Sequence, residues 1–372
     1  MYLKEYVTAF MEKGLPVLVL SPEPPEVDPA PCVFWRRIPT VGWMKKRRFF
    51  GMPFARWLFA RHVASAVREA EATEGIRCKR IFFGCFHEHQ SKLSYRLMST
   101  MGIAAAGLYV QAGIFHSGKH LKNCKARHRV EALLKHPLLD TIFMLDEAMM
   151  ETVASYSGKK VVLLPDSTDC STGDHDDLPG KLGLLPKSRP VLGLLGHLRP
   201  SKGVAEMLSF ARSVPELEAT FLLAGSCRWI EFKPEEEEFI KRAIAEDPRI
   251  VFHPERISGE TSYNAVVKAC DVLWAVYRDS PHSSNTLAKG AFFEKPIIVA
   301  DGYLMGLLTR KYALGAVVDG NDADALGRAL LPMLADTRGW LAAHPPRWEE
   351  FRKDHSNERF RERLREWALG LD

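Results

Sequence analysis

The sequence has no apolar run long enough to cross a lipid bilayer. A spanning helix needs about 20 predominantly apolar residues, whereas the best candidate, residues 101–115, is shorter and contains glycines and Gln111. The chain also lacks an opening charged stretch followed by a short apolar core and a cleavage site, so we expect no secretory signal. Both absences favour a cytoplasmic protein.

Paired cysteines are absent as well. The seven cysteines are scattered and form no C-x-x-C pair, which argues against a disulfide framework and a cysteine zinc site. The hydrophobic fraction of 46% and the charged fraction of 26% are close to those of soluble globular proteins, so disordered and coiled-coil chains are excluded. At roughly 100–200 residues per domain, the 372 residues indicate two domains.

Acidic residues are missing from residues 29–67. This stretch is rich in large aromatic side chains and carries eight cations, namely Arg36, Arg37, Lys45, Lys46, Arg47, Arg48, Arg56 and Arg61. Such a composition favours an anionic partner, either phospholipid headgroups or nucleic acid. No nucleic-acid-binding motif is present, so we expect residues 35–61 to contact an anionic membrane peripherally and no nucleic acid to bind. The alternative is that the aromatics are core and the cations are merely solvated.

Helical and strand patterns alternate along the chain. The periodicity predicts helices at residues 2–12, 53–72, 91–101, 147–157, 204–212, 235–245, 262–269, 286–293 and 323–334. It predicts buried strands at residues 16–20, 80–83, 104–110, 141–145, 161–164, 191–195, 220–224, 250–253, 272–276 and 296–299. Apolar strands separated by helices are typical of parallel sheets covered on both faces, so the expected fold class is α/β.

A break in composition separates two halves. Residues 166–190 are rich in Pro, Gly, Ser and Asp, as expected of a linker. We therefore expect one α/β domain over residues 1–165 and another over residues 191–345, both Rossmann-like. Residues 346–372 carry an aromatic and aliphatic stripe, which predicts a C-terminal helix that packs back on the first domain.

The sharpest local pattern is G-H-L-R-P-S-K-G at residues 196–203, between a predicted strand and a predicted helix. In parallel sheets, ligands bind beyond the carboxyl ends of the strands. Gly196, His197 and Gly203 supply a tight turn, and Arg199 and Lys202 supply cations beside a helix N-terminus. This combination favours a diphosphate. The alternative is an ordinary turn with surface cations.

A second strand-to-helix connection, residues 277–290, is rich in capping residues. Ser283, Ser284 and Asn285 are natural N-cap residues and Thr286 follows them. Simple capping explains them equally well. Two helix N-termini that can attract anions nevertheless lie at the same edge of the sheet. Together they favour a binding site more strongly than either N-terminus does alone.

Several segments of residues 161–335 resemble retaining glycosyltransferases of the GT-B fold, close to the large fourth family of glycosyltransferases. These segments are V-V-L-L-P-D-S-T-D, L-G-L-L-G-H-L-R-P-S-K-G-V, A-C-D-V-L-W-A-V-Y, K-P-I-I-V-A-D and G-A-V-V-D-G-N-D-A-D-A-L. The second is similar to the family's donor-phosphate loop. The family's Glu-x7-Glu pair is missing, because its positions hold Pro281 and Lys289. Some members of the superfamily instead carry a Ser/Asn-rich loop, as this chain does.

The resemblance implies that residues 1–165 form the acceptor-side domain and residues 191–345 the nucleotide-sugar-binding domain. It also implies roles for further residues. It places Gly196, His197, Gly203, Arg256 and the group Ser283, Ser284, Asn285 and Thr286 at a nucleotide-sugar donor, with Arg256 near the base. It makes Arg199 and Lys202 stabilise the departing diphosphate, and it places His116 near the reacting sugar. His87 and His89, after another strand, are weaker candidates for such a contact.

No metal or other cofactor is expected. His87 and His89 are spaced so that they cannot share a helical face, and they lack a third ligand. The acidic cluster at residues 174–177 fits a solvated linker better than a metal site. The expected function is transfer of a sugar from a nucleotide-sugar donor to a glycan or lipid-linked acceptor in cell-surface polysaccharide or glycoconjugate synthesis. The alternative is a catalytically weak scaffold in a polysaccharide-assembly complex, which the missing carboxylates favour.

Overall fold

The computed structural model describes residues 2–25, 27, 30–40, 52–85, 102–110, 113–116, 133–173, 177–186, 188–281 and 283–370. The chain forms two compact units, the first made of Met1–Asp166 with Ser356–Asp372 and the second of Ser167–His355. Several predicted features lie outside the described residues: His87, His89, the run Lys45–Arg48, the helix at 91–101 and most of the cluster at 174–177.

The first unit contains two parallel sheets among its described residues. Its helices are α1 (Tyr2–Met11), α2 (Met52–Glu74), α3 (Gly113–His116) and α4 (Met150–Ser157), and its strands are β1 (Val17–Ser21), β2 (Val33–Arg37), β3 (Arg80–Phe83), β4 (Ala104–Leu108), β5 (Leu139–Met144) and β6 (Lys160–Leu163). β1 pairs with β2, and β3 to β6 pair in chain order. The aliphatic and aromatic face of α2 packs into the same core as β3 to β5.

The second unit is built on one six-stranded parallel sheet. Its helices are α5 (Leu178–Lys181), α6 (Val204–Ser213), α7 (Pro234–Glu246), α8 (Glu260–Ala269), α9 (Asn285–Phe292), α10 (Tyr303–Tyr312), α11 (Ala323–Ala335), α12 (Thr337–Ala343) and α13 (Trp348–Asp354). Its strands are β7 (Val191–Leu195), β8 (Thr220–Ala224), β9 (Ile250–His253), β10 (Val272–Ala275), β11 (Ile297–Ala300) and β12 (Gly315–Val318). The strand order is β12-β11-β10-β7-β8-β9.

This order reverses direction between β7 and β10. Three strands follow each other outward from β7, and the next three follow each other outward from β10 on the other side. The order is that of a doubly wound dinucleotide-binding sheet, in which the reversal opens a crevice at the carboxyl ends of the two central strands. Every residue of β7, β8 and β10 is buried, because helices cover both faces of the sheet.

The C-terminal segment is divided between the two units. The prediction of one helix over residues 346–372 is wrong, since α13 belongs to the second unit and α14 (Asn357–Leu369) belongs to the first. The division lies at Ser356, whose hydroxyl accepts a hydrogen bond from the Arg359 backbone N–H at 3.0 Å and so begins a new helix. Phe351 packs in the core of the second unit, so the apolar stripe is shared between two cores.

The helix α14 is held on the first unit by aromatic packing and ion pairs. The Trp367 ring lies 5.8 Å from both Phe82 and Phe143, centroid to centroid, and the Arg80 guanidinium lies over it at 5.2 Å. Arg80 also donates a hydrogen bond to the Trp367 carbonyl oxygen. Glu12, directly after α1, pairs with Arg365 at 3.0 Å. The expected return of the C-terminal helix to the first domain is therefore confirmed for α14.

In the described ranges, no helix is both long and apolar enough to span a bilayer. The same ranges contain no group of three or more His, Cys, Asp or Glu side chains placed to hold a metal ion.

We predict that Trp367→Ala lowers the free energy of unfolding of the first unit by about 3–5 kcal/mol, the usual cost of truncating a buried large aromatic. Trp367 is 4% exposed and contacts three aromatic rings. Urea denaturation followed by circular dichroism measures the change. The matched control is Leu369→Ala on the same helix, where a 43% exposed side chain predicts a change within about 0.5 kcal/mol. Equal losses in both variants would contradict this packing.

Candidate functional site

The connection between β7 and α6 is shaped by two glycines with positive φ. Gly196 has φ 101° and Gly203 has φ 73°, values that favour glycine. A Cβ atom at Gly203 would lie 2.3 Å from the carbonyl oxygen of Val276, just after β10. The loop after β7 therefore rests directly on the loop after β10, and only glycine permits this approach.

The two predicted cations of this loop lie in different surroundings. The Arg199 side chain is exposed and makes no ion pair with any described residue. The Lys202 ammonium lies 3.7 Å from the centroid of the Tyr277 ring, within the range of a cation–π contact. The Trp274 indole N–H donates to the Lys202 carbonyl oxygen at 3.2 Å and fixes the backbone there. The loop thus presents one free guanidinium and one ammonium held on an aromatic face.

His197 is turned toward the neighbouring connection. Its Nε2 lies 3.6 Å from Glu231 Oε1, beyond hydrogen-bond distance, in the loop after β8. The structure thus places His197 beside an acidic side chain, and its expected contact with a donor stays a prediction.

The start of α9 lies at the carboxyl end of β10, next to the first loop. Ser284 is the N-cap, and its hydroxyl accepts a hydrogen bond from the Thr286 backbone N–H at 3.2 Å. Ser284 and Thr286 are buried, and both hydroxyls lie within 3.4 Å of the Tyr277 hydroxyl. Ser283 is half-buried and Asn285 is exposed, with its amide oxygen accepting from the Thr168 hydroxyl. The structure therefore brings Lys202, Ser284 and Thr286 together through Tyr277.

The pKa of Tyr277 reflects this environment. Burial raises the pKa of the phenol, but the Lys202 charge and hydrogen bonds involving Lys202, Ser284 and Thr286 outweigh this effect. The pKa of Tyr277 therefore lies below its ordinary value. Tyr277 was not among the predicted site residues, because a tyrosine at the end of an apolar strand has no sequence pattern that distinguishes it from a core residue.

Lys289 stands where the glycosyltransferases that the sequence resembles have the second Glu of their Glu-x7-Glu pair, and its side chain is wholly buried. Its ammonium donates to the Asp169 carbonyl oxygen at 2.6 Å, to Glu260 Oε2 at 2.8 Å and to Asn264 Oδ1. These bonds satisfy a buried charge and tie the segment around Asp169 to α8 and α9. A lysine inside the apolar pattern of residues 286–293 was the available signal for this role, and the sequence analysis did not use it.

Arg256 lies in the loop after β9, the last strand on that side of the sheet. Its side chain is exposed and has no hydrogen-bond or ion-pair partner among the described residues. It lies two strands away from β7, so its predicted base contact would concern a ligand that extends along the sheet edge.

In the first unit, His116 is paired with a carboxylate that the sequence analysis missed. His116 Nε2 lies 2.7 Å from Asp146 Oδ2, and both side chains are largely buried. The two residues follow β4 and β5, which are neighbours in the sheet. Asp146 Oδ1 also accepts from the Ala148 backbone N–H, which fixes the carboxylate. The available signal was an Asp directly after a buried strand. Such a pair holds the imidazole in one orientation.

No protein-family model matches the chain, and a search of curated proteins finds no match. Among solved structures, sucrose-phosphate synthase from Thermosynechococcus elongatus has a TM-score of 0.63 and 17% identity, over 100% of this chain and 90% of that chain. A structure described as trehalose-6-phosphate from E. coli bound with UDP-2-fluoro glucose has a TM-score of 0.66 and 10% identity, over 99% and 95%.

A third similar structure is HepE from Anabaena in complex with UDP and glucose, with a TM-score of 0.62 and 13% identity, over 91% of this chain and 86% of that chain. At these identities the likeness concerns the fold. The chain has the GT-B fold. The predicted class of two Rossmann-like α/β domains is thereby confirmed.

We predict that Gly203→Ala lowers the free energy of unfolding of the second unit by at least about 1–2 kcal/mol. The added Cβ meets a backbone oxygen, and a left-handed conformation disfavours alanine by about that amount. Urea denaturation of the full chain measures the change. The control is Gly327→Ala in α11, where a Cβ meets nothing within 4 Å and a helical alanine gains about 0.5–1 kcal/mol. A neutral Gly203→Ala would contradict the close approach of the two loops.

Proposed function

We propose that the protein transfers a glycosyl group from a nucleoside-diphosphate sugar to a glycan or lipid-linked acceptor, with retention, in cell-surface polysaccharide or glycoconjugate synthesis. The observation that carries the proposal is that Tyr277 joins Lys202, in the loop after β7, to the capped start of α9 at the reversal point of the sheet, with the exposed Arg199 in the same loop as Lys202. That point is where a doubly wound sheet binds nucleotides. The retaining reaction is taken from the resemblance to the fourth glycosyltransferase family.

The chemistry concentrates charge on the leaving group. When the bond between the anomeric carbon and the diphosphate oxygen breaks, the diphosphate gains negative charge. The Arg199 guanidinium, the Lys202 ammonium held on the Tyr277 ring and the N-terminus of α9 stabilise that charge, and the last two are already in place before the reaction. These groups leave the proposed reaction without need of a divalent cation. Gly196 and Gly203 give the loop after β7 its turns, Gly203 lets this loop rest on the loop after β10, and Ser284 keeps the start of α9 in place.

The remaining site residues take the roles that the resemblance to the glycosyltransferase family implies. We assign Arg256 to the base, Ser283 and Asn285 to the donor beside α9, and His197 to the outer side of the phosphate loop. The pair of His116 and Asp146 in the first unit is assigned to the reacting sugar, with Asp146 orienting the imidazole. Three similar structures are titled with UDP or a UDP-sugar, which supports UDP as the first nucleotide to try.

A scaffold without transferase activity is the second candidate. It is favoured by Lys289, whose ammonium donates hydrogen bonds to Glu260, Asn264 and a backbone oxygen. The family that the sequence resembles has a ligand-binding carboxylate at this position. A thermal-shift panel with UDP, GDP, ADP and their sugars separates the two candidates. A bound ligand at about 100 times its Kd adds about 2.7 kcal/mol of stability, whereas no shift with any nucleotide favours the scaffold.

We predict that Arg199→Ala and Lys202→Ala each lower kcat by about 10²–10³, the usual loss for one stabilising donor of a developing charge. Initial rates of sugar transfer, measured with the nucleotide sugar that gives the largest thermal shift, test this. The control is Arg328→Ala, which removes a 70% exposed guanidinium of the second unit and leaves kcat unchanged. Near-normal rates in both loop variants would contradict the diphosphate assignment.

The same assay with excess EDTA tests the metal expectation. Rates that persist in EDTA agree with charge stabilisation by the protein alone. A strict requirement for Mg²⁺ or Mn²⁺ would contradict it.

We also propose a peripheral contact of residues 35–61 with anionic membranes. Arg36 forms an ion pair with Glu74 at 2.5 Å, so its charge is already paired and does not contribute to binding of anionic lipid. Phe59 is buried in the core, whereas Phe54 and Trp57 are half-buried, with their rings 5.2 Å apart and Arg61 over Trp57 at 5.0 Å. The described part thus offers an aromatic and cationic face on α2. The rest of the proposal depends on Lys45–Arg48, which lie outside the described residues.

We predict that changing Lys45, Lys46, Arg47 and Arg48 together to Gln abolishes sedimentation with anionic vesicles at low salt. Each cation near an anionic surface contributes about 1 kcal/mol, and salt screens the effect. The control makes the same charge change in the second unit, on the exposed cations Arg228, Lys241, Arg310 and Arg328. Unchanged sedimentation of the first variant, or no sedimentation of the unaltered protein, would contradict the proposal.

A further inference from the structure

Tyr277 is a buried phenol that contacts both loops at the reversal point of the sheet. It is 6% exposed and follows β10 by two residues. Its ring lies under the Lys202 ammonium at 3.7 Å. Its hydroxyl donates to Thr286 Oγ1 at 3.2 Å and lies 3.4 Å from Ser284 Oγ. One side chain therefore contacts a residue from the loop after β7 and two from the start of α9.

We propose that Tyr277 is the positioning residue that fixes Lys202 relative to the N-terminus of α9, so that the two loops bind a diphosphate as one preorganised group. The identity of the anion rests on the proposed function, whereas the positioning of Lys202 does not. A lysine side chain has about 2 kcal/mol of rotamer entropy, and an aromatic face in a desolvated position confines the ammonium. Without the ring, Lys202 would have to be ordered by the ligand itself at a cost in affinity.

The hydroxyl fixes the other half of the arrangement. The Tyr277 O–H donates to Thr286 Oγ1, so the Ser284 hydroxyl is free to donate to the Tyr277 oxygen while it accepts from the Thr286 backbone N–H. This chain of bonds sets the cap of α9. The titratable and charged groups around the phenol are Lys202 from the loop after β7 and Tyr263 from α8, and α9 contributes only the neutral hydroxyls of Ser284 and Thr286. The only formal positive charge against the phenol, among these groups, is that of Lys202.

A purely structural role is the competing explanation. A tyrosine that only fills the core would stabilise the second unit without changing the reactivity of Lys202 or the binding of anions. A positioning role requires that the ring shields Lys202 and that Tyr277 and Lys202 act on the anion together. Two measurements on the full chain separate these explanations.

The first measurement is trace acetylation of Lys202, read by peptide mass spectrometry in the ligand-free protein. We expect Lys202 to react about tenfold faster in Tyr277→Leu, since the cation–π contact is removed, and to keep most of its protection in Tyr277→Phe, which retains the ring. Lys268 on α8, an exposed lysine, is the internal control and keeps its rate in every variant. Equal Lys202 rates in the unaltered protein and Tyr277→Leu would overturn the proposal.

The second measurement is a double-mutant cycle on binding of inorganic pyrophosphate. We expect Tyr277→Leu and Lys202→Ala each to weaken binding about tenfold and the double variant to be no weaker than Lys202→Ala, because the two residues act as a unit. Additive losses would overturn the proposal. If Tyr277→Leu fails to fold, Tyr277→Phe with Ser284→Ala replaces it, and these two variants are expected to be non-additive because the hydroxyl acts through Ser284.

The labelling result does not depend on any ligand, so it decides the role of Tyr277 by itself. A chain that protects Lys202 as expected but transfers no sugar and binds no nucleotide contradicts the proposed function and leaves the positioning role standing. A chain that transfers sugar but shows equal Lys202 reactivity in Tyr277→Leu supports the function and overturns the positioning role.

Discussion

The pairing of β7 with β10 is the constraint on which the second unit depends. Their register joins Leu273 to Gly193, where a Cβ would lie 2.3 Å from the Cys270 sulfur. Eight residues beyond the end of β7 at Leu195, a second glycine, Gly203, meets the carbonyl oxygen of Val276. Both glycines are required because two segments far apart in sequence are forced into contact. That contact places the ends of β7 and β10 side by side, where the unpaired N–H groups of a helix start favour anions.

A second set of interactions in the same unit is the hydrogen bonding of the buried Lys289 ammonium. The ammonium joins Asp169, Glu260 and Asn264, and removal of any partner would leave a buried charge with too few acceptors. The segment that enters the second unit is thereby held against α8 and α9. Order at the start of α9 thus comes from two sides, from Lys289 on the helix itself and from Tyr277 beneath its cap.

Much of the fold could be predicted from the sequence, since apolar strands and amphipathic helices have distinct periods. The strands at 191–195, 220–224 and 250–253 have the predicted bounds. β2 was missed because V-F-W-R-R resembles a basic aromatic stretch, and the division at Ser356 because one apolar stripe continues across it. Tyr277 and Asp146 were missed because their roles depend on partners distant in sequence. Local patterns contain no information about such pairs.

Under the proposed function, the absence of the Glu-x7-Glu pair of the family that the sequence resembles changes where affinity for the donor can come from. Pro281 stands in one position, and the other holds Lys289, whose ammonium already donates to three acceptors within the protein. Neither position therefore offers a side-chain acceptor for sugar hydroxyls. Under the proposed function, the second unit then holds the donor by its diphosphate, through Arg199, Lys202 and the start of α9. Uniform binding of the diphosphate does not distinguish one sugar from another. Discrimination between sugars would therefore have to come from polar groups other than the side chains at these two positions.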